Sequence, residues 1–160
     1  MIVNSFKQLE NTERDVKFKE GRSIRQLLKS DGMGFSIHRT IIPKGEIGNW
    51  HYKNHLEACY CIEGTGLLTD IKNDKQYCIS KGFVYALNNN DNHTFEAITD
   101  VVLISVFNPP VTGNEIHQED GSYKKIDKGL KSIATEIVET VCSCKSNYDA
   151  VELVTEKLSR

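Results

Sequence analysis

Several signals are missing from this chain, and each absence narrows what it can be. Neither charge dominates: 20 Lys and Arg face 22 Asp and Glu, for a net charge of −2 with the two signs interspersed. That balance carries no electrostatic footprint for nucleic acid or an anionic membrane, and it lacks the acidic excess of proteins that work in molar salt. No apolar run approaches the ~20 residues that span a bilayer. Residues 1–10 show no charged stretch followed by an apolar core, so no signal peptide is expected and a cytoplasmic location follows. There is no internal repeat and no low-complexity segment. The five cysteines, Cys59, Cys61, Cys78, Cys142 and Cys144, are odd in number, which argues against a disulfide framework. Buried small hydrophobes are the expected role for them. Cys142 and Cys144 alone make an incomplete zinc site.

What is present reads as one domain with a tail. Its 160 residues can bury roughly two-thirds of their unfolded surface. The first 31 residues are polar and mixed, with a helical turn or an arm expected over 25–29. Asp31-Gly-Met-Gly34 is a turn signal. Beyond it, Phe35, Ile37, Arg39 and Ile41 alternate with Ser36, His38, Thr40 and Ile42, the period of a strand. Further strands are expected over 58–62, 67–71, 76–79, 83–87, 93–98 and 101–107. Short strands at this spacing, separated by Gly and Asn turns, predict an all-β fold, a small β-barrel or jelly roll. Pro109 and Pro110 stop the last strand. Residues 1–128 then form the β domain with an N-terminal arm. Apolar residues at helical spacing predict two short amphipathic helices over 129–160.

Two clusters carry chemistry. His51, His55 and Glu57 crowd one short segment that closes on Gly64, and Gly82, Tyr85 and His93 answer them from the next. Glu57, Tyr85 and His93 form a trio of carboxylate, phenol and imidazole that suits a borderline cation such as Fe2+ or Zn2+. A phenol is the rarer ligand, because its ordinary pKa of about 10 must be overcome by the cation's charge. The alternative is that Tyr85 caps the barrel mouth and Glu57 pairs with a lysine. His51 and His55 read as supporting or structural residues.

The spacing Gly45–His51–Glu57–Gly64 matches most of the first cupin motif. Gly82–Tyr85 matches the second, with Tyr in place of the usual His, and Lys53 replaces the second His of the first motif. Five segments are more specific. Asp31-Gly-Met-Gly-Phe-Ser36, Tyr52-Lys-Asn-His-Leu-Glu-Ala58, Tyr60-Cys-Ile-Glu-Gly64, Phe107-Asn-Pro-Pro-Val-Thr-Gly113 and Glu115-Ile-His-Gln-Glu-Asp-Gly121 resemble the ectoine synthase family, over about residues 1–125. The resemblance implies a cupin barrel, a homodimer, and dehydrating ring closure of N-γ-acetyl-L-2,4-diaminobutyrate to ectoine. It implies iron as Fe2+ on Glu57, Tyr85 and His93, with Zn2+ as a substitute in vitro. It also implies substrate contacts from Arg25, Thr40, Tyr52, Ser105, Phe107, Glu115 and His117. Two positions depart from the family. Gly21 stands where members usually carry Trp, and Ser105 where they usually carry Cys. Loss of an aromatic wall weakens substrate binding by ~1–3 kcal/mol.

A base must free the substrate's α-amine, and the resemblance implies Glu115 first for that task, with His117 second and Tyr52 beside them. Arg25 is expected to hold the substrate carboxylate. The alternative function is a metal-binding cupin that acts on a related small molecule as cyclase or hydrolase, or that binds a ligand without catalysis.

Overall fold

The structure, a computed structural model, describes residues 1–115, 117–118 and 121–123. The helices expected over 129–160, and Cys142 and Cys144 with them, lie outside the described residues.

A single helical turn, α1 (Phe6–Leu9), opens on a capping box between Ser5 and Gln8. Ten strands follow: β1 (Asp15–Phe18), β2 (Gly21–Leu27), β3 (Ser36–Ile42), β4 (Ile47–Trp50), β5 (Leu56–Glu63), β6 (Thr65–Asp70), β7 (Lys75–Ser80), β8 (Val84–Leu87), β9 (His93–Ala97) and β10 (Val101–Asn108). They form two antiparallel sheets, one of six strands in the order β1-β2-β3-β10-β5-β8 and one of four in the order β4-β9-β6-β7. The core lies between them. Ile42, Cys61 and Leu103 come from the larger sheet, and Trp50, Leu68, Ile79 and Phe95 from the smaller. This is the expected jelly-roll arrangement, built as two facing sheets.

Period-two patterning explains the layers. Along β5, β8 and β9 buried residues alternate with more exposed ones, because successive side chains leave opposite faces of a strand. One phase carries unexpected information. In β3 the inward set is Ser36, His38 and Ile42 rather than the more apolar Phe35, Ile37 and Ile41. A strand that turns its polar face to the interior marks a site rather than a plain core.

The N-terminal region differs from its reading. Residues 25–27 belong to a strand, β2, instead of a helical turn or arm. Arg22, Ser23, Ile24 and Arg25 pair with Ile41, Thr40, Arg39 and His38 of β3. Their backbone groups find a full ladder there, and tertiary pairing overrides weak local preference. Only Lys29–Asp31 coil, as one 3-10 turn closed by Gly32 at φ 72°. Cys59 and Cys61 are buried as expected, but Cys78 is exposed on β7. That strand is a sheet edge, with its outward residues in solvent.

Candidate active site

The inward positions of β3, β5, β8 and β10 enclose a small interior cavity. Thr40, Glu57, Cys59, Tyr85, Ser105 and Phe107 line it from the larger sheet. Trp50 and Tyr52, at the end of β4 and just past it, close a second side, and His117 and Tyr123 cap it. Its volume is about 20 Å3, room for one water molecule.

A hydrogen-bond chain crosses three adjacent strands. Thr40 Oγ1 and Ser105 Oγ lie 3.1 Å apart, and Ser105 Oγ and Cys59 Sγ 3.2 Å apart. The Cys59 thiol donates to Glu57 Oε1 at 3.2 Å. The strands position these groups directly, since Cys59 and Ser105 are cross-strand partners. Burial pushes the Glu57 carboxyl up to about 7, against the hydrogen bonds from Cys59 and Ser105. Burial likewise raises the Tyr85 phenol well above its ordinary range, with the Cys59 and Glu57 charges adding to it.

His93 enters from the other sheet. Its ring centroid is 6.4 Å from that of Tyr85. Nδ1 lies 3.1 Å from the Asp91 carbonyl, which can only accept, so Nδ1 carries the proton. Nε2 is then a buried lone pair with no hydrogen-bond partner among the described residues. A ring whose second nitrogen is anchored to a carbonyl is the usual form of a metal-binding histidine. Among the described residues no three His, Cys, Asp or Glu side chains converge on one point, so an ion here depends on the Tyr85 oxygen. Glu57 and Tyr85 line the cavity, whereas His93 stands behind it with its ring near those of Trp50, Tyr52 and Tyr85; these three are the candidate donor set.

The remaining sequence-derived residues divide. Thr40, Tyr52, Ser105, Phe107 and His117 reach the cavity. Tyr52 Oη is 2.8 Å from His117 Nε2. The His117 ring stacks on Trp50 and on Tyr123, at 5.8 and 4.8 Å between centroids. Burial holds His117 down to about 4, with the Arg25 charge adding to the effect. Arg25 and Glu115 instead engage each other and the loop. Arg25 is 2% exposed. It donates from Nη1 to the Gly113 carbonyl and from Nη2 to the Glu115 carbonyl at 2.6 Å. Its Nη1 is also 3.7 Å from Glu115 Oε2. The Glu115 carboxylate accepts from Thr112 N at 2.6 Å, Thr112 Oγ1 at 2.7 Å and Gly113 N at 2.9 Å. Burial alone would raise this carboxyl, but those hydrogen bonds outweigh it and hold it below its ordinary value. Of the remaining histidines, His55 is buried against Phe107 and Tyr123.

Sequence reasoning missed Phe18, Trp50, Cys59 and Tyr123. The polar phase of β3 was visible as alternation, but nothing in one sequence said which phase faced inward. At position 21, a Cβ would lie 2.1 Å from the Ile41 carbonyl oxygen, which explains why glycine stands there.

Two facing antiparallel sheets around a polar interior site define a cupin-type protein. The fold is shared with an RmlC-like cupin from Shewanella frigidimarina, at a TM-score of 0.51 and 15% identity over 59% of this chain and 82% of that one. Residues 1–127 match the family model described as ectoine synthase. The chain is 46% identical over 129 residues to an L-ectoine synthase from Desulfosudis oleivorans, covering 80% of this chain and all of the relative. It also superposes on the crystal structure of ectoine synthase from P. lautus with a TM-score of 0.71 and 40% identity, over 76% of this chain and 87% of that one. The chain belongs to the ectoine synthase family, a family of lyases. Among the described residues no helix is long and apolar enough to cross a membrane.

Proposed function

We propose that this enzyme closes N-γ-acetyl-L-2,4-diaminobutyrate into ectoine with loss of water, as an iron-dependent hydro-lyase. One observation carries the reading: Thr40, Tyr52, Glu57, Tyr85, Ser105, Phe107 and His117, site positions far apart in sequence that the family resemblance implies, line a single cavity.

The reaction joins the α-nitrogen to the acetamide carbon. The carbonyl oxygen leaves as water, and a carbon–nitrogen double bond remains. Glu57, Tyr85 and His93 would hold Fe2+, or Zn2+ in vitro, and the bound ion would supply Lewis acidity toward the amide oxygen. Around it the chain's own groups do three things. His117 is neutral at pH 7 and a weak base, and it shares a hydrogen bond with Tyr52, so the pair can relay a proton from the α-ammonium to the departing oxygen without holding it. Thr40 and Ser105 offer hydroxyls to the substrate's polar ends. Trp50, Phe107 and Tyr123 exclude water and hold the chain folded, which contributes much of the rate. Glu115 and Arg25 support the cavity by fixing the loop that carries His117. This departs from the expectation that Glu115 is the first base, because its carboxylate is already saturated with hydrogen bonds.

The same reading makes the enzyme a cytoplasmic homodimer. Cys59, Cys61 and Cys78 are free thiols, in keeping with a reducing compartment. Exposed Phe83, Val84 and Tyr77 offer apolar surface to a second copy. The test is direct: purified protein loaded anaerobically with Fe2+ should convert the acetylated diamine to ectoine, read by chromatography. A fully iron-loaded, folded sample that forms no product would sink the reading.

A further inference from the structure

The interior cavity has a neighbour on the surface. An outer vestibule of about 570 Å3 opens beside the β1–β2 hairpin, lined in part by Phe18, Lys19, Glu20, Asn49, Trp50 and His117. Phe18, Trp50 and His117 also line the interior cavity. These three side chains are therefore the partition between the two spaces.

They are not equally fixed. His117 is stacked between Trp50 and Tyr123 and hydrogen-bonded to Tyr52. Phe18 touches the partition only edge-on, with centroids 6.2 Å from Trp50 at 83° and 5.4 Å from His117 at 76°. It is the last residue of β1, an edge strand paired to β2 alone, and it faces Gly21 across a two-residue turn. The turn residues Lys19 and Glu20 bring one charge of each sign to the vestibule. That pairing suits a zwitterionic amino acid, whose carboxylate and ammonium meet opposite partners.

We propose that Phe18 is a specificity-determining residue of this enzyme. Its ring is the displaceable wall through which a small zwitterionic substrate passes from the vestibule to the cavity. Closed, it seals the site against water and limits the length of the acyl group. A cavity that holds one water cannot receive such a substrate unless a wall gives way, and of the three side chains that part it from this vestibule Phe18 has the weakest ties. The identity of the substrate rests on the proposed function; the portal does not.

Trp50 is the chain's single tryptophan, and it is 5% exposed, so its fluorescence reads the partition. Acrylamide quenching should rise several-fold in Phe18→Ala and less in Phe18→Leu. It should stay at the wild-type value in Ile98→Ala, which alters an exposed side chain outside both spaces. With activity in hand, Phe18→Ala should also shift kcat/KM toward N-γ-acyl chains longer than acetyl. Wild-type quenching and wild-type chain-length preference in a folded Phe18→Ala protein overturn the proposal. If Phe18→Ala does not fold, Phe18→Leu carries both measurements. Raised quenching with no turnover of any acylated diamine, even by wild type, supports the portal and removes the proposed function instead.

Discussion

The cavity is assembled from two kinds of chain. Thr40, Glu57, Cys59, Tyr85 and Ser105 sit on strands inside continuous ladders, so the backbone aims them and each needs little help. Glu115, His117 and Tyr123 sit on the segment after β10, where, among the described residues, only the isolated bridge His117–Tyr123 supplies strand-like pairing. Side chains must do there what ladders do elsewhere: Arg25 grips two carbonyls, Glu115 ties down Thr112 and Gly113, and Tyr52 holds His117. Groups that must keep a fixed spacing lie on the rigid half. His117, the proposed proton carrier, lies on the half that a few hydrogen bonds control. The two halves should therefore fail separately.

The largest effect is expected in the strand half. Glu57→Ala and His93→Ala should each lose most bound iron and nearly all activity while circular dichroism stays native. Tyr85→Phe should lose iron less completely, since it removes one oxygen and little packing. Elemental analysis decides this, and full iron content in all three folded variants would falsify the trio. In the loop half, Arg25→Met removes the donors to Gly113 and Glu115 and strands a buried carboxylate. It should cost about 3 kcal/mol in urea unfolding and lower kcat, yet leave iron content near wild type. Loss of iron in step with activity would mean that the halves are not independent.

The smallest effect sharpens the contrast by pH. Burial holds His38, on β3, down to about 3, with the charges of Arg25 and His55 adding to it, against an ordinary 6.5. As pH falls from 6.5 the unfolded chain takes up a proton that the folded chain refuses. Stability then drops by up to about 1.4 kcal/mol per pH unit for this residue. His117, held to about 4, acts in the same direction from the loop half. Glu57 in the metal-free protein acts oppositely between 4.5 and about 7, because its raised carboxyl binds a proton more readily folded than unfolded. The difference between His38→Phe and wild type is thus the quantity to measure. The variant should hold its stability better between pH 6.5 and 4.5, and parallel curves would show that His38 does not set the acid limb.

Much of this was legible beforehand. β3 and β5 to β10 announce themselves by alternation and by Gly and Asn turns, and the proposed donor trio is named from motif spacings. The rest was hidden for identifiable reasons. β1 and β4 are short, and β2 is mixed in polarity, so only pairing within the sheets makes them strands. Arg25 read as a clamp for the substrate carboxylate because its partners, Gly113 and Glu115, lie some ninety residues away. Cys59 read as a small hydrophobe, since a thiol's role depends on what faces it, and Ser105 faces it only across a ladder.

Gly21 has a consequence for how this chain can change. With a Cβ 2.1 Å from the Ile41 carbonyl oxygen, the β1–β2 hairpin and β3 have closed over the position. The tryptophan common in relatives cannot simply be put back by one substitution; the neighbouring backbone would have to move first. The order of replacements therefore matters. The pocket wall can be changed at Phe18 or Ser105, but at position 21 the way is shut until β3 shifts.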